Sequence, residues 1–150
     1  MYKVFFEDIA VGDVQKFGSY EVTREEVLEF ASKYDPQPFH LDDEAAKHSV
    51  FGKLCASGWH TGAMMMRMLV DHVKATGAAS MGSPGLDEIR WLEPVFPGEI
   101  LSVETEILGA RESKSRPNIG LIKAAYKTFN QDGTLKMTAI SNYMILRRPK

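Results

Sequence analysis

Apolar residues recur along the chain in two rhythms, and each rhythm predicts a different kind of element. Val27, Phe30, Ala31 and Tyr34 fall at i, i+3, i+4 and i+7, which puts one apolar face on a helix of about three turns. Thr23-Arg24-Glu25-Glu26 supplies its start as a capping box, in which Thr23 accepts from the Glu26 backbone and Glu26 reaches back to Thr23. Val22 and Val27 then fit a hydrophobic staple, and Pro36 ends the helix, because a residue before proline is steered away from helical angles. A second helix is predicted from Ser57 to about Ala75. It is apolar on nearly every side except a stripe of Arg67, Asp71 and Lys74, as a buried helix should be.

After Gly85 the period changes to two. Leu101, Val103, Thr105 and Ile107 alternate with Ser102, Glu104 and Glu106, the pattern of a half-buried strand. Ile122, Ala124, Tyr126 and Thr128 alternate with Lys123 and Lys127, and after the turn Asn130-Gln131-Asp132-Gly133 the run Leu135 to Leu146 completes a hairpin. Pro94, Pro97 and Gly98 set the segment Leu86 to Pro97 apart from the strand that follows, and Gly12 to Tyr20 supplies an early edge strand. The sum is an α+β domain of about five strands, whose antiparallel sheet packs on, or curls around, the Ser57 to Ala75 helix. Residues 35–57 form a long irregular segment with one helical turn around Asp42 to Lys47. Loops of that length are usually functional.

With 150 residues and no linker or repeat, residues 1–150 read as one domain. Eighteen Lys and Arg against 20 Asp and Glu leave no basic excess, so nucleic acid is not an expected partner. The start lacks the apolar run of a signal peptide, and the most apolar window, Trp59 to Val70, is broken by His60 and Arg67 and falls short of the ~20 residues that span a bilayer. A lone cysteine, Cys55, makes no internal disulfide and suits a reducing compartment, so a cytoplasmic location away from membranes is expected.

The densest set of polar groups among apolar ones is Tyr34-Asp35-Pro36-Gln37-Pro38-Phe39-His40-Leu41-Asp42. Two prolines stiffen it, so Asp35 and His40 can face one cleft with little entropy lost on binding. A carboxylate that takes a proton from water and an imidazole that returns one to carbon are what addition or elimination of water requires. The plainer alternative is a turn in which Asp35 caps backbone amides and His40 packs beneath the loop.

Other candidates carry less. His48, Cys55, His60 and His72 lack metal-binding spacing, so no metal site is expected. Cys55 has no local activating feature and reads as a small buried hydrophobe. Met64, Met65, Met66 and Met68 suit either an adaptable acyl pocket or ordinary core packing. Arg111, Lys114 and Arg116 suit either phosphate contact or a solvated hairpin tip.

The stretch from Tyr34 through Leu69 resembles the MaoC-like (R)-specific enoyl-CoA hydratases of the hot-dog fold. The resemblance rests on Asp35, Pro38, His40, Asp42, Ala45, Phe51, Gly52 and Ser57-Gly58. The family's signature reads Gly-Asp-x-Asn-Pro-aliphatic-His. Here Tyr34, Gln37 and Phe39 replace the Gly, the Asn and the aliphatic residue. The resemblance implies a sheet wrapped around the long helix, Asp35 as base, His40 as acid, and an acyl-CoA thioester as substrate. It also implies no metal or redox cofactor and a homodimer or a multiple of it. The start of the long helix offers free N–H groups and a positive dipole end, which makes the Ser57-Gly58 backbone the candidate oxyanion site, with Ser57 also a simple N-cap. Two rivals remain at this stage: a hot-dog thioesterase, and a non-catalytic scaffold that binds acyl thioesters. Phe39, Met65, Met68 and Trp91 are the residues expected to set pocket depth.

Overall fold

The chain begins with a 3₁₀ turn at Phe6–Asp8, strand β1 (Val14–Glu21) and helix α1 (Arg24–Tyr34) in a computed structural model that describes residues 1–150. A 3₁₀ turn at Pro38–His40 and helices α2 (Asp43–Lys47) and α3 (Gly58–Thr76) follow. Strands β2 (Gly85–Trp91), β3 (Ile100–Glu112), β4 (Ile119–Phe129) and β5 (Leu135–Leu146) complete it. The strands form one antiparallel sheet in the order β1-β3-β4-β5-β2, which leaves β1 and β2 as its edges.

The period-two pattern marks the inner face of that sheet. Ile122, Ala124, Tyr126 and Thr128 of β4 are all buried, whereas Lys123 and Lys127 between them point to water. Leu101 and Val103 of β3 and Met137, Ala139 and Ile145 of β5 add to the same face, and Met64, Met65 and Met68 of α3 close the core from above. Gly18 lets α3 approach β1. Its φ of +89° falls at an irregularity in the β1–β3 register, and a Cβ there would come within 2.5 Å of Met68 Sδ. Val22 and Val27 are buried together, as the staple requires.

Three sequence expectations need correction. The capping box is half made: Thr23 accepts from the Glu26 N–H, but the Glu26 carboxylate turns away to Tyr20 and His60, which offer it stronger donors than the Thr23 backbone. Tyr34 lies on the predicted apolar face yet is 72% exposed, because α1 reaches its last turn beyond the edge of the core. Helix α3 is not buried all round. Trp59, Met66 and Val70 form an exposed apolar stripe beside the Arg67–Asp71 ion pair, so in one chain the sheet covers only part of this helix. No helix is long and apolar enough to cross a membrane.

Candidate active site

Asp35 and His40 are brought together by three adjacent terminations. Asp35 is the C-cap of α1, its N–H donating to Ala31 O at 3.0 Å. Pro36 and Pro38 then bend the chain into the 3₁₀ turn, and His40 N donates to Gln37 O at 2.9 Å. The extended segment before α3 passes on the other side and carries Cys55 and Ser57. His40 Nδ1 lies 2.8 Å from Cys55 O, and a carbonyl can only accept, so Nδ1 carries the hydrogen and Nε2 is left for chemistry.

His40 Nε2 faces Asp35 Oδ2 at 3.4 Å, with side chains 6% and 17% exposed, so the pair is sheltered but reachable. The carboxylate is held at both oxygens: Ser57 Oγ donates to Oδ2 at 2.7 Å, and Gln37 Nε2 donates to Oδ1 at 2.6 Å. Partial burial works against ionisation of Asp35. The donors Ser57 and Gln37 and the nearby His40 outweigh it and hold the carboxyl below its ordinary range.

Ser57 is the N-cap of α3, its hydroxyl accepting from Trp59 N at 3.3 Å while donating to Asp35. The side chain is thus committed to the carboxylate and the helix. The Gly58 N–H, by contrast, has no acceptor within the protein, and it stands at the positive end of a 19-residue helix. Trp91 lies directly over Gly58, with its Nε1 donating to Gly58 O at 2.8 Å. A Cβ on Gly58 would sit 2.6 Å from the ring, so glycine is required here by close approach.

Beyond Trp91 and Trp59, which meet edge to face with centroids 5.1 Å apart, a cavity of about 730 Å³ runs between α3 and the inner sheet face. Met65, Met66, Leu69, Ile89 and Trp91 line it. Asp35 and His40 do not, whereas Trp91, which covers Gly58 at the start of α3, does. Of the residues nominated for pocket depth, Met65 and Trp91 line the cavity. Phe39 instead packs against His40 and Phe51, and Met68 sits under Gly18.

The remaining candidates are scattered. His48 pairs with Glu44 on the surface, and His72 stacks on Phe17 and bonds Gln15. Cys55 is buried, and burial pushes its thiol up to about 11. Nowhere do three or more of these residue types gather as a metal would need. Arg111, Lys114 and Arg116 are exposed at the β3–β4 hairpin. A second polar group was not foreseen. His60 Nε2 meets Glu26 Oε1 at 3.0 Å, and Tyr20 Oη donates to the same oxygen at 2.5 Å, tying β1, α1 and α3 together. Burial disfavours the Glu26 charge, but the Tyr20 and His60 bonds prevail and its carboxyl is held below the ordinary range. The one sequence signal for this group was Glu26 itself, which the cap motif explained away.

The model of the MaoC like domain matches residues 8–125, well over half of the chain. The chain belongs to the MaoC-like dehydratase family. A solved MaoC-like dehydratase from Rhodospirillum rubrum is 41% identical, with a TM-score of 0.89 over 99% of this chain and 100% of that one. An uncharacterized protein of Bacillus subtilis, YdeM, is 26% identical over 83% of this chain and 86% of its own length. The mesaconyl-CoA hydratase of Cereibacter sphaeroides is 27% identical over 72% of this chain, which spans 26% of that longer protein. Fold and family agree: the five-stranded antiparallel sheet around one long helix is the hot-dog fold.

Proposed function

We propose that this MaoC-like protein is an (R)-specific enoyl-CoA hydratase, with Asp35 and His40 as its acid–base pair. The observation that carries the reading is the facing of Asp35 Oδ2 and His40 Nε2 at 3.4 Å beside the unengaged N–H of Gly58. Two groups at that separation can both touch one water. In hydration Asp35 takes a proton from the water as its oxygen bonds to C3 of a trans-2-enoyl thioester, and protonated His40 delivers its Nε2 proton to C2 on the same face. The product is a (3R)-3-hydroxyacyl thioester. Asp35 is left protonated and His40 neutral, and one proton passing back between them restores the starting pair.

Negative charge develops on the thioester oxygen during this step. The Gly58 N–H is fixed at a helix terminus and needs no reorganisation to meet it, and a donor of this kind is worth roughly 2.7–4 kcal/mol of barrier. The cavity beyond Trp91, lined mostly by apolar side chains, is the proposed seat of the acyl chain. Coenzyme A as carrier is supported by the hydratase relative. The exposed stripe Trp59, Met66 and Val70, whose Trp59 meets Trp91 of the edge strand β2, supports a homodimer that buries it. The single buried cysteine supports a reducing, cytoplasmic setting.

The test is turnover on trans-2-enoyl-CoA thioesters of increasing chain length, following enoyl absorbance and free thiol together. Loss of absorbance without thiol, reduced about 10²- to 10⁴-fold in both Asp35→Asn and His40→Ala, is the expected result. Thiol release would make the protein a thioesterase. Binding without turnover would make it a scaffold.

A further inference from the structure

Gln37 stands where the family pattern has Asn, and its side-chain amide contacts the Asp35 carboxylate. Gln37 lies between Pro36 and Pro38 in an extended conformation (φ −78°, ψ 142°). Its N–H donates to Asp35 O at 2.8 Å and its carbonyl accepts from His40 N at 2.9 Å, so its backbone bridges the two members of the pair. The side chain is exposed, yet its Nε2 donates to Asp35 Oδ1 at 2.6 Å. With one proline on each side and both backbone groups engaged, the backbone that carries the amide is held in place.

We infer that Gln37 is a positioning residue: it holds Asp35 Oδ1 and thereby presents Oδ2 to His40 and the reacting water. The inference rests on the proposed hydratase reading, which names Asp35 as the base. Asp35 is faced by the Gln37 amide, by His40 from the 3₁₀ turn and by the Ser57 hydroxyl at the start of α3, and His40 is the one titratable group among them. Removing the amide leaves Ser57 as the sole uncharged donor. The carboxyl then ionises at higher pH and turns more freely about its χ angles.

The experiment compares kcat, KM and the pH profile of kcat/KM for the wild type, Gln37→Ala, Gln37→Asn and Gln37→Glu on the best enoyl-CoA of the panel. Gln37→Ala is expected to lower kcat about tenfold with KM within about twofold, and to move the acid limb up by about one pH unit. That is the scale of one hydrogen bond to a charged group. Gln37→Asn, a methylene short, is expected to follow Gln37→Ala. Gln37→Glu keeps the length but sets a like charge against Asp35, so its acid limb moves further still. A merely structural role would lower thermal stability and leave the acid limb in place.

An active wild type whose Gln37 variants keep its kcat and acid limb overturns this inference and leaves the hydratase reading standing. A wild type silent on every thioester overturns that reading and the catalytic role of Gln37 with it. NMR titration of the Asp35 carboxyl carbon in wild type and Gln37→Ala reads the hydrogen bond without turnover, and identical midpoints would overturn it directly.

Discussion

Replacing Gly58 with alanine tests the contact that closes the N-terminus of α3. The φ of Gly58 is not positive, so its backbone accepts any L-residue and the constraint is the Trp91 ring alone. A Cβ there would lie 2.6 Å from Trp91 Cε2 and 2.8 Å from Cδ2 and Nε1. Carbon atoms rest about 3.5–4.0 Å apart, so the ring must retreat by about 1 Å. The retreat also stretches the 2.8 Å bond from Trp91 Nε1 to Gly58 O out of hydrogen-bonding range. Overpacking of this kind costs about 1–3 kcal/mol, and the lost bond adds about 1 kcal/mol, less where water replaces it. Alanine recovers up to about 1 kcal/mol of helix propensity, less at the first helical position. The net loss is about 1–3 kcal/mol, which lowers Tm by about 3–9 °C in a chain of this size. Thermal unfolding of Gly58→Ala, Trp91→Leu and the double variant measures it. The Trp91→Leu background should relieve most of the penalty, giving a coupling of about 1 kcal/mol or more. An unchanged Tm in Gly58→Ala, or an equal loss with and without the Trp91 ring, would refute the reasoning.

Lys136→Met should be strongly destabilising, by about 3–5 kcal/mol, because Lys136 Nζ pairs with Glu99 at 2.8 Å where both side chains are largely buried. In the wild type, burial opposes the Glu99 charge, but Lys136, the Phe96 N–H and Asn130 overcome it and hold the carboxyl low. That stability is therefore present above the ordinary glutamate range near pH ~4.3 and is lost as pH falls through the lowered value. Chemical denaturation across pH 3–7 should show this acid-side loss flattened in Lys136→Met, and an unchanged slope would count against it. Met66→Glu places a charge in the exposed stripe of α3, half-exposed at 50% in the single chain. Sedimentation should find a dimeric wild type and a monomeric variant, and a monomeric wild type would remove the proposed homodimer.

Much of the architecture was legible because one-dimensional patterns encode it directly. The alternation Ile122, Ala124, Tyr126, Thr128 against Lys123 and Lys127 could serve only a sheet with one wet face, and all four apolar-side positions are buried. Strand β5 runs from Leu135 to Leu146, the limits read from the sequence. The Asn130 to Gly133 turn is closed by Asn130 Oδ1, which accepts from Asp132 N and Thr134 N. Helix starts were equally local, since Thr23, Asp42 and Ser57 each cap with their own side chains.

Contacts across the fold were not legible, because no spacing rule links residues that meet only after the sheet has formed. Asp35 and His40 announced themselves by their proline-stiffened spacing, but the Ser57 bond to Asp35 spans 22 positions and the Cys55 carbonyl that sets the His40 tautomer lies 15 away. Nothing local requires Gly58, which is demanded by a ring 33 residues later. Glu26 satisfied a cap motif on paper and chose Tyr20 and His60 in space, because a carboxylate goes to the strongest donors within reach. The chain by itself determined which segments fold as helix or strand and which loop carries an acid–base pair. Tertiary packing decided which donors fix that pair, which N–H is left free beside it, and which face of α3 stays uncovered.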